Sequence, residues 1–122
     1  MSLDTLTAFL QAYHDEVMAC EARGLAARDA GDRETFLAEF RAKAQKMERL
    51  LTLATPYLEG LEPPLRDRVG HALRRFSNSA RCGLELESPF YWTALLWDEN
   101  ARPEDPDTLQ SFINSLAPTP RS

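Results

Sequence analysis

Two histidines bound the chemistry open to this sequence. A di-iron or di-manganese helical centre needs inward glutamates and two Glu-x-x-His pairs on facing helices, but Gln11 stands three residues before His14 and Arg68 three before His71. Asp67 and His71 lie one helical turn apart and could share a metal, yet a pair without further ligands reads as a solvated surface pair. Both histidines are therefore expected to be solvated or to sit at helix ends. Nucleophilic catalysis would need a Ser or Cys, a His base and an orienting acid gathered from separate elements. No local signature narrows that choice: G-x-S-x-G, the phosphate-binding G-x-x-x-x-G-K-[ST] and G-x-G-x-x-G are all missing. No catalytic residue, metal or cofactor is expected. The competing reading is a bundle that holds a metal, cofactor or small ligand between helices, around His14 or His71 with Tyr13, Met18 and Met47.

Two other groups of residues have content. Arg66, Arg68, Arg74, Arg75 and Arg81 fall within one segment, Pro63 to Gly83, that carries 5 basic residues against 1 acidic. The flanking segments carry 7 against 11 and 2 against 7. On a helical wheel Arg68 and Arg75 lie on one flank of the apolar stripe, whereas Arg66, Arg74 and Arg81 lie on the other flank or outward, so no single basic ridge forms. These arginines are expected to pair with acids such as Asp15, Glu16, Glu48, Glu85 and Glu87. Arg66, Arg74, Arg75 and Arg81 are also the candidates for contacts to an anion or a partner. Nucleic-acid binding through this helix is a third reading, opposed by the net charge of −5.

The second group is the run Phe90-Tyr91-Trp92-Thr93-Ala94-Leu95-Leu96-Trp97. Wound as a short helix, it has apolar residues around nearly its whole circumference, more than one buried face can take. One reading is a plug that closes the bundle and keeps its Trp and Tyr polar tips at the surface. The other is a docking surface, since contiguous exposed apolar area marks interaction sites and Trp and Tyr dominate interface energetics. Phe90, Tyr91, Trp92, Leu95, Leu96 and Trp97 are the candidate interaction residues.

The elements that must position these groups are helices. Leu6, Leu10, Tyr13, Val17, Cys20 and Gly24 recur at steps of three and four, which puts them on one stripe of a helix over about 3–30. Ser2 suits its N-cap, and Gly31 its left-handed end. Gly24 implies either close helix approach or a soft point. Asp32 caps a second helix over about 33–59, with a stripe of Phe36, Phe40, Ala44, Met47, Leu50, Leu51, Ala54 and Leu58. Lys43 and most other charges are placed outside that stripe. Pro56 should kink this helix in preference to restarting it. Pro63 and Pro64 open a third helix over about 63–85, whose stripe is Leu65, Val69, Ala72, Leu73, Phe76 and Ala80. Ser88-Pro89 starts a short helix over about 89–98, and Asp105-Pro106 a last one over about 106–117.

Three amphipathic helices with short reversals predict an all-α, antiparallel up-down bundle, closed by the two short C-terminal helices. One domain over 1–117 is expected, followed by a disordered tail, 118–122.

The chain has 122 residues, 43% of them hydrophobic and 27% charged, a globular composition. Cys20 and Cys82 are isolated from each other and are expected to be buried thiols outside any disulfide framework. With no secretory signal and no apolar run of roughly 20 residues, the expected setting is cytoplasmic, without membrane contact. Two Lys against twelve Arg suggest a bacterial coding background. Together these features predict a non-enzymatic interaction protein, adaptor- or chaperone-like, that binds another protein or dimerises with itself through segment 90–97.

Overall fold

The computed structural model describes residues 3–98, 100–102 and 104–116. It contains five helices, α1 (Leu3–Asp29), α2 (Arg33–Leu58), α3 (Pro63–Glu85), α4 (Pro89–Ala94) and α5 (Thr108–Leu116), and no strand among the described residues. The expected Ser2 cap and the tail 118–122 lie outside the described residues.

Capping chemistry explains why the reversals are short. Gly31 adopts φ 79°, and the Asp32 amide donates to the Ala27 carbonyl at 2.8 Å while the Gly31 amide donates to that of Arg28 at 3.0 Å. This is the six-to-one and five-to-two pattern that satisfies the last carbonyls of a helix and turns the chain back. Asp32 then accepts from the Thr35 amide at 3.0 Å and caps α2. Pro63 and Pro64 occupy the first turn of α3, where their missing amides cost nothing.

α2 packs against both α1 and α3. Gly24 against Phe40, the Tyr13 hydroxyl donating to the Lys46 carbonyl at 2.6 Å, and Phe9 stacked on Tyr57 at 4.5 Å pair α1 with α2 in antiparallel order. On the other side, the Ser77 hydroxyl donates to the Met47 carbonyl and accepts from the Leu51 amide, both at 3.1 Å, joining α3 to α2. The core runs through all five helices, from Leu6, Leu10 and Val17 through Phe40, Met47 and Leu50 to Val69, Leu73, Leu109 and Ile113.

α2 runs through Pro56 to Leu58 without restarting; Pro56 and Thr52, whose carbonyl would have received its amide, are both exposed, so water can replace the lost bond. Three expectations need correction. Cys20 is buried as expected, but Cys82 is exposed, because it sits one residue off the stripe that continues from Ala80 to Gly83. α4 ends at Ala94 rather than at 98, because Leu95 leaves the helical conformation at ψ 136° and Leu96 then turns into the left-handed region at φ 72°. α5 begins at Thr108 rather than 106, because Asp107, not Asp105, accepts from the Gln110 amide at 2.9 Å and acts as the cap.

Candidate functional site

The aromatic segment is both plug and surface, divided residue by residue. Ser88 caps α4 by accepting from the Tyr91 amide at 3.2 Å, and Pro89 fixes the first turn. From that start Trp92 points inward. It is 4% exposed, its indole N–H donates to the Gly83 carbonyl at 3.0 Å, and the Arg41 guanidinium lies 5.5 Å from its ring centroid. Leu95 and Leu96 are also in the core. The expectation of an exposed face at Trp92, Leu95 and Leu96 is thus overturned: the bundle has room for them because α4 is short and the turn at Leu96 folds both leucines under it. Phe90 is the opposite case, 81% exposed, with Leu86 at 66%, Tyr91 at 39% and Trp97 at 36%. Ser79, Phe90, Tyr91, Ala94, Leu95 and Leu96 line a shallow cleft of about 280 Å³ between α3 and α4.

A larger cavity, about 380 Å³, adjoins this cleft and shares Ser79, Leu95 and Leu96 with it. It lies between α3 and α5 because the fourth wall of the bundle is made of two short pieces, α5 seated on α1 and α4 on α2 and α3. Met47, Leu95 and Leu96 form its floor; Ala72, Phe76 and Phe112 contribute apolar walls; Arg75, Ser79 and Thr108 are its polar groups.

The arginines of α3 do not pair as expected. Among the described residues, Arg66, Arg68, Arg74 and Arg75 form no ion pair, and Arg81 donates to Asn78 on its own helix. They also part company: Arg66 and Arg74 line a groove between α2 and α3 with Glu59, Asp67 and His71, while Arg75 faces the α3–α5 cavity.

What sequence reasoning missed is a buried polar seam between α1, α2 and the C-terminal wall. His14 is 8% exposed, contrary to expectation, and its Nε2 meets Asp107 Oδ2 at 2.7 Å while Nδ1 meets Asp15 Oδ1 at 3.0 Å. Burial pulls the imidazole towards neutrality, but hydrogen bonds to Asp107 and Asp15, with their charges, outweigh it and raise the His14 pKa above its ordinary value. Three residues away Gln11 and Gln110 exchange amide hydrogen bonds at 2.8 and 2.9 Å. Two turns further along α1, Glu21 accepts from the Trp97 indole at 2.9 Å.

Lys43, expected on the solvent side, is 0% exposed. Its ammonium donates to the Thr93 carbonyl at 3.4 Å and lies 3.5 Å from Glu21 Oε2 and 5.3 Å from the centre of the Phe40 ring. Burial lowers its pKa, partly offset by Glu21 and Asp107. The signal was legible: Phe36, Phe40, Lys43, Met47, Leu50 and Ala54 alternate by four and three, the spacing of a buried seam.

The residues named for a ligand between helices are not brought together around a histidine. His14 is engaged by carboxylates, exposed His71 stands in the α2–α3 groove, and the Tyr13 hydroxyl is committed to α2. No group of three His, Cys, Asp or Glu residues among those described could hold a metal ion, and no described helix is long and apolar enough to cross a membrane. No protein-family model matches the chain, and no curated protein or solved structure matches it either.

Proposed function

We propose that this chain is a non-enzymatic docking protein that receives an apolar-faced helix of another protein on the tip formed by Leu86, Phe90 and Tyr91 and in the cleft beside it. The observation that carries the reading is the contrast within α4. Trp92 fixes the helix from behind through a buried ring and an indole hydrogen bond, so Phe90 is held outward at 81% exposure on a rigid element. A large aromatic presented on a held backbone gains on binding with only its own side chain left to order, which favours a binding hot spot. The adjoining cleft, with Ala94 and Leu95 at its base, can take an apolar side chain from a helix spaced at three and four residues.

The test places a photo-crosslinking amino acid at Phe90 and, as control, at exposed Ala12 on α1. An adduct with one other protein, formed from position 90 but not position 12 and lost with Leu86→Ser/Tyr91→Ser, is the expected result. Silence at position 90, or the same adduct from both positions, would refute the reading. An adduct of twice the chain mass would replace the foreign helix with a second copy. Trp92→Ala and Leu96→Ala are unsuitable probes because both residues belong to the core.

A further inference from the structure

We infer that the cavity between α3 and α5 is a binding site for a free amphiphilic monocarboxylate, its alkyl chain on the floor of Met47, Leu95 and Leu96 and its carboxylate on Arg75 at the mouth. The cavity shares Ser79, Leu95 and Leu96 with the docking cleft, but Arg75 and Met47 line only the cavity and Phe90 does not reach it, so the assignment does not rest on docking at the α4 tip.

The lining has the division of labour that small-ligand sites show, a mostly apolar concavity with a few convergent polar groups. Its volume, about 380 Å³, falls within the usual range for such sites and, at about 30 Å³ for a water-sized group, takes roughly a dozen heavy atoms. That suits a chain of about ten carbons with its head group. Arg75 is the one charged residue of the lining and forms no ion pair among the described residues. Ser79 and Thr108 supply hydroxyls that can complete a carboxylate's hydrogen bonds.

The anion is a carboxylate on grounds of charge. A planar monoanion matches a single guanidinium fork, whereas a phosphate dianion would leave charge unmatched in a protein whose net charge is −5. The floor is fixed: Leu96 holds φ 72°, unfavourable for a branched side chain, and its carbonyl accepts from the Thr108 amide at 2.7 Å. That bond ties the floor to the first residue of α5, so the wall and floor stand as one unit before any ligand arrives.

The test uses decanoate and decanol as probes, kept below concentrations at which they aggregate, with the ¹³C-labelled methyl of Met47 as reporter and Met18 as control. Decanoate should shift the Met47 methyl and not that of Met18, and titration calorimetry should give saturable one-to-one binding. Arg75→Gln should weaken decanoate roughly 10-fold or more while leaving decanol unchanged, as expected for loss of a charge-assisted bond. Ala72→Leu, which fills the cavity from a helix-compatible position, should weaken both probes. Phe90→Ser should weaken neither, so a failure of docking at the α4 tip leaves this site testable. Absence of a Met47 shift with decanoate overturns the assignment. So does equal affinity for decanoate in Arg75→Gln and the unaltered protein, or undiminished binding in Ala72→Leu.

Discussion

His14 Nε2 lies 2.7 Å from Asp107 Oδ2, joining the middle of α1 to the cap of α5 across 93 residues of sequence. One carboxylate oxygen of Asp107 thus holds the histidine while the other accepts from the Gln110 amide and starts the helix. The same aspartate fixes where α5 begins and where it docks, so the outer wall of the α3–α5 cavity depends on a titratable contact.

The pH dependence follows from its sign. The folded His14 has a pKa raised above the ordinary 6.5, so it binds its proton more tightly than the unfolded chain does. The stabilisation is complete below that ordinary value and is lost as pH rises through the raised one. Asp15, whose pKa is lowered by its bonds to His14 and Gln11, acts in a separate acid window, stabilising above its ordinary 3.8 and losing that effect as pH falls through its lowered value. The melting temperature should therefore decline as pH rises from the ordinary histidine value of 6.5 through the raised one, and His14→Gln should flatten that slope. An unchanged slope in the variant would assign the effect to another group.

Lys43 and Glu21 should behave as a coupled pair. Removing the ammonium by Lys43→Met leaves Glu21 against the core with its charge unmatched, a change that costs on the order of 3 kcal/mol. Glu21→Gln/Lys43→Met removes both charges and keeps an acceptor for the Trp97 indole, so the double variant should recover most of the loss. Denaturant unfolding of the four proteins measures the coupling. Additive effects of the two single changes would show that the 3.5 Å contact carries no interaction energy.

The long helices were legible because their cues act within a turn or two: Gly31 and Asp32 at one reversal, Pro63 and Pro64 at the next, and apolar steps of three and four between them. The surplus of the aromatic segment was legible too, but not its division. Whether Trp92 or Phe90 faces inward depends on the angle at which α4 leaves Ser88, and that is set by the Gly83 carbonyl nine residues earlier. The seam was harder still. His14, Lys43 and Asp107 look like solvent residues in any local window, and only tertiary partners make their burial tolerable. The contrary cue, Lys43 in register with Phe40 and Met47, was outweighed by the general rule that lysines are exposed.

Two glycines inside helices should respond oppositely to alanine. A Cβ on Gly24 would meet the Phe40 ring at 2.6 Å, within a core where that ring is 1% exposed and has little room to retreat. The gain in helix propensity, about 1 kcal/mol, is outweighed by overpacking of roughly 1–3 kcal/mol, so Gly24→Ala should destabilise. At Gly70 the nearest atom to a new Cβ is Leu58 Cδ1 at 3.8 Å, an ordinary contact. Gly70→Ala should stabilise by about 0.5–1 kcal/mol. Thermal melts of the pair decide it; stabilisation in both would mean that Phe40 moves aside freely and that the close approach of α1 and α2 is not a constraint.

Phe90 and Trp92, two residues apart on α4, should separate stability from surface. Trp92→Ala removes a ring that is 4% exposed, takes away one of the two hydrogen bonds to the Gly83 carbonyl, leaving that from the Ser88 amide, and strips the packing surface from Arg41, at a cost of about 3–5 kcal/mol. Phe90→Ser removes a side chain that is 81% exposed and should change stability by no more than about 0.5 kcal/mol. Urea midpoints for the two variants, compared at constant slope, measure both effects. A large loss in Phe90→Ser would mean that the ring is packed in solution, and the docking surface at the α4 tip would lose its anchor. A small loss in Trp92→Ala would mean that α4 is held by something other than its inner face, and Phe90 would then lack the rigid support that makes it a binding residue.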